Sequence, residues 1–265
     1  MAVNNLENEE LVVLSRSGHV AVVTLNRPGA LNSLNKDMCV TLHGILDEIE
    51  LDDSIRAVIV TGSGEKAFCA GMDLRERNGM SAEEVNVLRQ VVFFPLFRRL
   101  EDMKKPLIAA INGLCLGGGA EMVLICDIRI AAETASFGQT EVKWGITPGG
   151  GACQRLPAIV GVGMAKELLL TGRTVNAEEG EKIGLFNRVT TLEGLMEAAM
   201  EMAEMIAENA PVAVRQIKKG VNLGYENYLA LAFDREASEV CYHTQDRLEG
   251  IAAFGEKRKP KFIGR

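Results

Sequence analysis

Most of the signatures by which a function is first guessed are missing from this chain. Its three histidines, His19, His43 and His243, stand apart with no ligand spacing, and none of its six cysteines belongs to a C-x-x-C pair. The expectation is therefore no metal site and free, mostly buried thiols. There is no phosphate-binding G-x-x-x-x-G-K-S/T loop and no G-x-S-x-G elbow. Gly62-Ser63-Gly64 and Gly161-Val162-Gly163 both lack the third glycine of a dinucleotide fingerprint. Phosphate-loop, serine-hydrolase and nicotinamide chemistry are excluded on that ground. Positive charge is short as well, with 29 Lys and Arg against 36 Asp and Glu, a net charge of -7. A nucleic acid or an anionic membrane surface is not expected as the main partner, because dense Lys and Arg carry such binding. The apolar region from 107 to 132 is interrupted by Asn112, glycines, Glu121 and Asp127, so it reads as core and not as a membrane span. The first ten residues are polar and acidic, with no basic or apolar leader segment, which predicts a cytoplasmic protein.

What remains is an alternation of short apolar runs and helical patterns. At 265 residues the chain can bury roughly 70–75% of its unfolded surface in one large core. Leu11 to Leu14 and His19 to Leu25 read as a hairpin joined by Ser15 to Gly18. Asn35 caps a helix with an apolar face of Met38, Leu42, Ile45 and Ile49, and Ala57 to Thr61 forms the next strand, a crossover that predicts parallel pairing. Ser81 and Glu84 make a capping box for a helix that kinks or breaks toward Pro95. Ile128 to Ile130 is a strand, Gly149 to Gly151 opens a helix, and Asn176 caps a short one. From Leu192 onward apolar residues recur every three or four positions and Pro211 starts a further helix. The fold class is α/β, divided into a core over residues 1–191 and a helical region over 192–265.

One stretch concentrates chemistry. Leu107 to Ile111 is a fully apolar strand, and Gly117-Gly118-Gly119 then joins it to an apolar helix that carries Glu121 in its first turn. Glycines at such a junction let backbone N–H groups approach a ligand, and a helix N-terminus adds positive partial charge. The same residues also suit a plain tight turn, with Glu121 complementing the helix dipole. A second carboxylate, Glu141, follows Phe137-Gly138-Gln139-Thr140.

Several ordered motifs resemble the crotonase, or enoyl-CoA hydratase, superfamily over nearly the whole chain. They are Asn26-Arg27-Pro28 with Ala30-Leu31-Asn32, then Phe68 to Leu74, Gly117 to Glu121, Phe137 to Glu141, Pro148 to Leu156, and Phe254 to Arg258. The resemblance implies a spiral of ββα units with a C-terminal helical region that mediates a homotrimer or a dimer of trimers. It implies an enoyl-CoA hydratase, with a place in fatty-acid β-oxidation, that adds water reversibly to a 2-enoyl-CoA thioester. The substrate's CoA moiety is its handle, and neither a metal nor a redox cofactor is used. The family's oxyanion hole falls on the backbone N–H groups of Met72 and Gly118, and its two catalytic acids fall on Glu121 and Glu141. Arg75 falls near the CoA phosphates, Ala30, Leu31 and Ala70 fall around the adenine, and Phe254 and Lys257 fall where CoA is contacted from a neighbouring subunit. Trp144 stands either at the acyl pocket or in the core. The alternatives are another activity on the same fold, namely an enoyl-CoA isomerase or a methylglutaconyl-CoA or cyclic enoyl-CoA hydratase, and a non-catalytic acyl-CoA- or RNA-binding protein.

Overall fold

A computed structural model describes residues 10–223, 239, 242–258 and 260–261. The chain begins with an antiparallel pair, β1 (Val12–Ser17) and β2 (Val20–Leu25). Ser15, Arg16 and Ser17 continue β1, where a linking turn is expected from their polarity. They are exposed on an edge strand, where polar side chains cost nothing, and the turn shrinks to Gly18 and His19. Helix α1 (Lys36–Leu51) is capped by Asn35, whose side chain accepts from Met38 N at 3.0 Å. Its fully buried residues are Met38, Cys39, Leu42, Leu46 and Ile49, so Leu46 takes the deep position expected of Ile45. The return strand β3 (Ala57–Gly62) pairs parallel to β2, as the crossover requires.

From β3 to β8 successive strands alternate between two sheets. β3, β5 (Leu107–Ile111) and β7 (Ile128–Ala132) join a six-stranded sheet with β10 (Arg188–Thr190). β4 (Ala67–Cys69), β6 (Leu114–Leu116) and β8 (Ser136–Gly138) build a four-stranded one closed by β9 (Val175–Asn176). Between β4 and β5 lie α2 (Ala82–Leu88), a π-helical turn (Arg89–Phe93) and α3 (Phe94–Glu101). The capping box of Ser81 and Glu84 is present. Pro95 sits in the first turn of α3, where its missing N–H leaves no gap, and the π turn before it absorbs the break.

Between β6 and β7 comes α4 (Gly118–Ile125), which is apolar apart from Glu121 and buried from Gly118 to Leu124, as a helix without a polar face must be. Then follow α5 (Ala152–Val160), α6 (Val162–Thr171) and α7 (Ala177–Lys182), the last capped by Asn176. The main core lies between the two sheets and α1, α3, α4 and α5. The other face of the six-stranded sheet is covered by α8 (Leu195–Ala207), through Leu195, Ala198, Ala199 and Ala203. Helices α9 (Pro211–Leu223) and α10 (Gln245–Gly255) complete the described chain. Among the described residues, no helix is long and apolar enough to cross a membrane.

Candidate active site

Two short connections, one after β4 and one after β6, meet at a single point. The first is anchored by Asn32. Its fully buried side chain accepts from Arg27 N at 2.9 Å and donates to the carbonyls of Ser63 and Ala67 at 3.0 and 2.8 Å. Leu34 then pairs with the segment after β4: Leu34 N donates to Gly71 O and Asp73 N donates to Leu34 O, both at 2.8 Å. Those bonds use the groups on either side of Met72 and leave its own N–H outside the ladder. Arg27 closes the arrangement by pairing with Asp73 at 2.9 Å. Burial opposes the charge of Asp73, but the bonds from Arg27 and from Arg75 N hold its carboxyl below the usual range.

Gly71 lies against the second connection. A β-carbon placed on it would stand 2.9 Å from Leu116 O and 3.2 Å from Gly118 N, so the amide that follows Gly71 and the amide of Gly118 are neighbours. Gly117 turns the chain from β6 into α4 at φ 51, ψ -123, a conformation that other residues avoid. It points the N-terminus of α4 into the same space, where helix amides lack intrahelical partners.

Glu121 and Glu141 face that space from different elements. Glu121 is 4% exposed, and its Oε1 accepts from Gly150 N at 2.6 Å, a contact across space and not a cap on its own helix. Glu141 opens a 3-10 turn (Glu141–Trp144) and is 9% exposed, so it is not the solvated loop residue that its sequence position alone suggests. Gln139, with its amide turned to satisfy both ends, donates to Glu141 Oε1 and Oε2 at 3.0 and 3.1 Å. Burial, and next the like charge of Glu121, push the Glu141 carboxyl up to about 8. A pair built in this way holds one proton near neutral pH and can both take a proton from water and give one to carbon.

The cavity between them has a volume of about 110 Å³. Met72, Gly118, Glu121 and Glu141 line it together with the rings of Phe94, Phe97 and Trp144. A fixed pair of amides, two buried carboxyls and an apolar wall are what a polarised carbonyl compound and one water need.

The family model described as Enoyl-CoA hydratase/isomerase matches residues 15–265. The chain belongs to the enoyl-CoA hydratase/isomerase family, within the crotonase superfamily. It is 47% identical over 253 residues to the short-chain-enoyl-CoA hydratase of Clostridium acetobutylicum, covering 94% of this chain and 95% of that protein. Identity to the crotonyl-CoA hydratase of Syntrophomonas wolfei is 42%, over 97% of this chain and 99% of that one. The crystal structure of the enoyl-CoA hydratase from Bacillus anthracis matches with a TM-score of 0.79 at 44% identity, covering 97% of this chain and all of that one. The mixed sheets and flanking helices are therefore those of crotonase-fold structures.

Of the residues that the family resemblance singles out, the structure gathers Met72, Gly118, Glu121, Glu141 and Ala70 around one cavity, together with Trp144. Leu31 lies beside Ala70, whose N–H donates to Leu31 O at 3.0 Å, and Ala30 precedes it in the same turn. Arg75 is exposed and outside the cavity wall, and its backbone N–H bonds Asp73 at 3.0 Å. Phe254, on α10, packs edge-on against Trp144 at 4.7 Å between ring centres, and Lys257 is exposed beyond the end of that helix.

Three further members of this candidate site were not marked by the sequence. Gly150 supplies the N–H to Glu121. Arg89, 4% exposed, stacks over Phe94 and Tyr242 at 4.9 and 4.2 Å and lines the cavity. Thr147 Oγ1 is buried in the same wall with no partner among the described residues. An arginine on the buried side of an otherwise apolar helical pattern was the available signal for Arg89. The other two are backbone and hydroxyl groups that no spacing rule marks.

Proposed function

We propose that this chain is an enoyl-CoA hydratase that adds water across the 2,3 double bond of a short 2-enoyl-CoA thioester. The observation that carries this reading is the convergence of two buried carboxyls, Glu121 and Glu141, on a cavity that also receives the amides of Met72 and Gly118. The thioester oxygen accepts from those two N–H groups. A water held by the dyad loses a proton to one carboxylate as its oxygen bonds to C3, and the π electrons move onto the thioester oxygen. The enolate then collapses and C2 takes a proton from the dyad on the same face. One preorganised donor of this kind is worth roughly 3–4 kcal/mol in the transition state. No electrons are gained or lost, so the chemistry calls for no redox cofactor. The dyad titrates as a unit, and its members are not given separate roles.

The size of the cavity favours a short acyl chain. At about 110 Å³ it is smaller than the roughly 150 Å³ void that accepts a benzene ring. Two of the relatives named above are short-chain and crotonyl-CoA hydratases.

The proposal extends to the rest of the molecule. Ala30, Leu31, Ala70 and Arg75 hold the adenine and phosphate parts of CoA, and Phe254 and Lys257 serve the site of a neighbouring subunit. Residues 192–265, of which 224–238, 240–241, 259 and 262–265 lie outside the described residues, serve as the assembly region of a homotrimer or a dimer of trimers, a reading supported by the exposed Val212, Ile217 and Val221 on α9. The alternation of strands between two sheets supports the spiral of ββα units, and the protein works in the cytoplasm in fatty-acid β-oxidation.

Following the loss of enoyl-thioester ultraviolet absorbance with crotonyl-CoA tests the central claim. Wild-type turnover is expected, and folded Glu121→Gln and Glu141→Gln are each expected to lose about 10²–10⁴-fold in kcat. A wild type that binds CoA thioesters and hydrates none of them would overturn the reading.

A further inference from the structure

The peptide of Gly150 is held from both ends. Its N–H donates to Glu121 Oε1 at 2.6 Å, and its carbonyl accepts from Arg155 Nη1, also at 2.6 Å. Arg155 stands in the first turn of α5, and its Nη2 pairs with Glu101 at the end of α3. The pair is mostly out of solvent, with side chains 14% and 19% exposed. A charged bond there is screened far less than the surface pairs of this chain, such as Arg188 with Glu201 at 48% and 59%.

Little else can fix that peptide. Gly149, Gly150 and Gly151 follow one another, so the loop has no side chains with which to pack. Gly151 adopts φ +101 and lies directly under the Arg155 guanidinium, in space that a β-carbon would have to share. The guanidinium fills the room that side chains would otherwise occupy, and it spends one arm of its fork on the Gly150 carbonyl.

A backbone N–H can only donate. Glu121 Oε1 must therefore offer a lone pair toward Gly150, and any proton that the dyad holds sits on one of the other three carboxyl oxygens. The orientation of one peptide thus sets the rotation of the Glu121 carboxyl and the side from which it meets water and substrate.

We propose that Arg155, held by Glu101, is a positioning residue for the dyad and acts on Glu121 through the Gly150 peptide. The role rests on the hydratase reading above and adds a line of contact from α3 through α5 to the reacting carboxyl. A purely structural tie between α3 and α5 would lower stability and leave turnover per folded enzyme unchanged.

The experiment is steady-state hydration of crotonyl-CoA by the full chain. Arg155→Met is made in the wild-type and Glu121→Gln backgrounds, beside Arg155→Lys, Glu101→Gln and the distant control Arg188→Met, with thermal melts to score folding. In folded Arg155→Met, kcat is expected to fall about 10–100-fold with KM changed less than about 2-fold, the size of a misplacement near 1 Å. Arg155→Lys is expected to restore part of the loss, because an ammonium cannot grip Gly150 and Glu101 together as a fork does. In the Glu121→Gln background, Arg155→Met is expected to remove nothing further. A folded Arg155→Met with wild-type kcat overturns the role, and so does an equal fold-loss in both backgrounds. If Arg155→Met does not fold, Glu101→Gln decides by the same criteria, since it leaves the guanidinium a neutral acceptor. A wild type without turnover removes the hydratase reading and this role with it. Wild-type turnover with an Arg155 effect independent of Glu121 removes this role alone.

Discussion

Helix α4 separates two cavities of opposite character. At its N-terminal end, Gly118 and Glu121 face the space of about 110 Å³ that also holds Glu141. At its C-terminal end, Leu124, Ile125 and Cys126 face a half-open space of about 400 Å³ bordered by Ile206, Val214 and Ile217. The smaller one is where two carboxyls are desolvated against each other, one of them pushed up to about 8 by burial and its neighbour. Desolvated charge and fixed amides favour the smaller of these two spaces for the proposed chemistry, although it is the less voluminous.

The sharpest way to break that contrast is to disturb the small cavity without replacing a carboxyl. A β-carbon on Gly150 would stand 2.8 Å from Glu121 Oε2 and 2.9 Å from its Cδ, so Gly150→Ala must displace the side chain or the loop. With crotonyl-CoA, kcat is expected to fall about 10²-fold, with the melting temperature nearly unchanged. Wild-type kcat in Gly150→Ala would show that the dyad tolerates movement, and the contrast between the two cavities would lose its force.

A second effect, expected to be smaller, concerns stability. The folded pKa of Glu141, about 8, lies above its ordinary value of 4.5. Below pH 4.5 the folded and unfolded chains both hold the proton, and nothing is lost. As pH rises toward 8 the unfolded chain releases it while the folded chain keeps it, so stability falls through that window and is lowest above it. Glu141→Gln is therefore expected to be more stable than the wild type at pH 8.5 by about 1–3 kcal/mol, with the gain fading at pH 4.5, as denaturant titrations at the two values would measure. Equal stabilities at both pH values would mean that Glu141 is not desolvated.

Local features of the fold were legible because short-range rules govern them. Asn35, the Ser81–Glu84 box and Asn176 cap the helices that their sequence positions announce, and the strands at 57, 107 and 128 follow from apolar runs. Polarity misled at Ser15 to Ser17, because an edge strand tolerates what a central strand would not. Helical spacing could not choose between Ile45 and Leu46, which differ by one position on the same face; the facing elements chose Leu46. The alternation of strands between two sheets lies in no local window. Neither does the bond from Gly150 to Glu121 across 29 positions, nor the grip of Arg155 on Glu101 across 54. The two glutamates stood out as carboxylates following glycine-containing turns and took their roles from the family's motifs, while the groups that hold them lie on distant neighbours in the chain.

The far end of α4 offers the mildest test of the comparison. Ile206 lies on α8, half-buried against the outer face of the six-stranded sheet, and borders the large cavity. Ile206→Ala removes apolar contact from a site already open. The cost is expected to be about 1–2 kcal/mol, below the range for fully buried aliphatics, and alanine's better helix propensity offsets part of it. Turnover of crotonyl-CoA should stay within about 2-fold of wild type, because Ile206 does not line the small cavity and takes no part in the bonds by which Arg155 holds Glu101 and the Gly150 peptide. A selective fall in kcat with little loss of stability would show that the large cavity communicates with the small one. The separation drawn across α4 would then give way to a coupling through Arg155, which borders the large cavity and holds the Gly150 peptide.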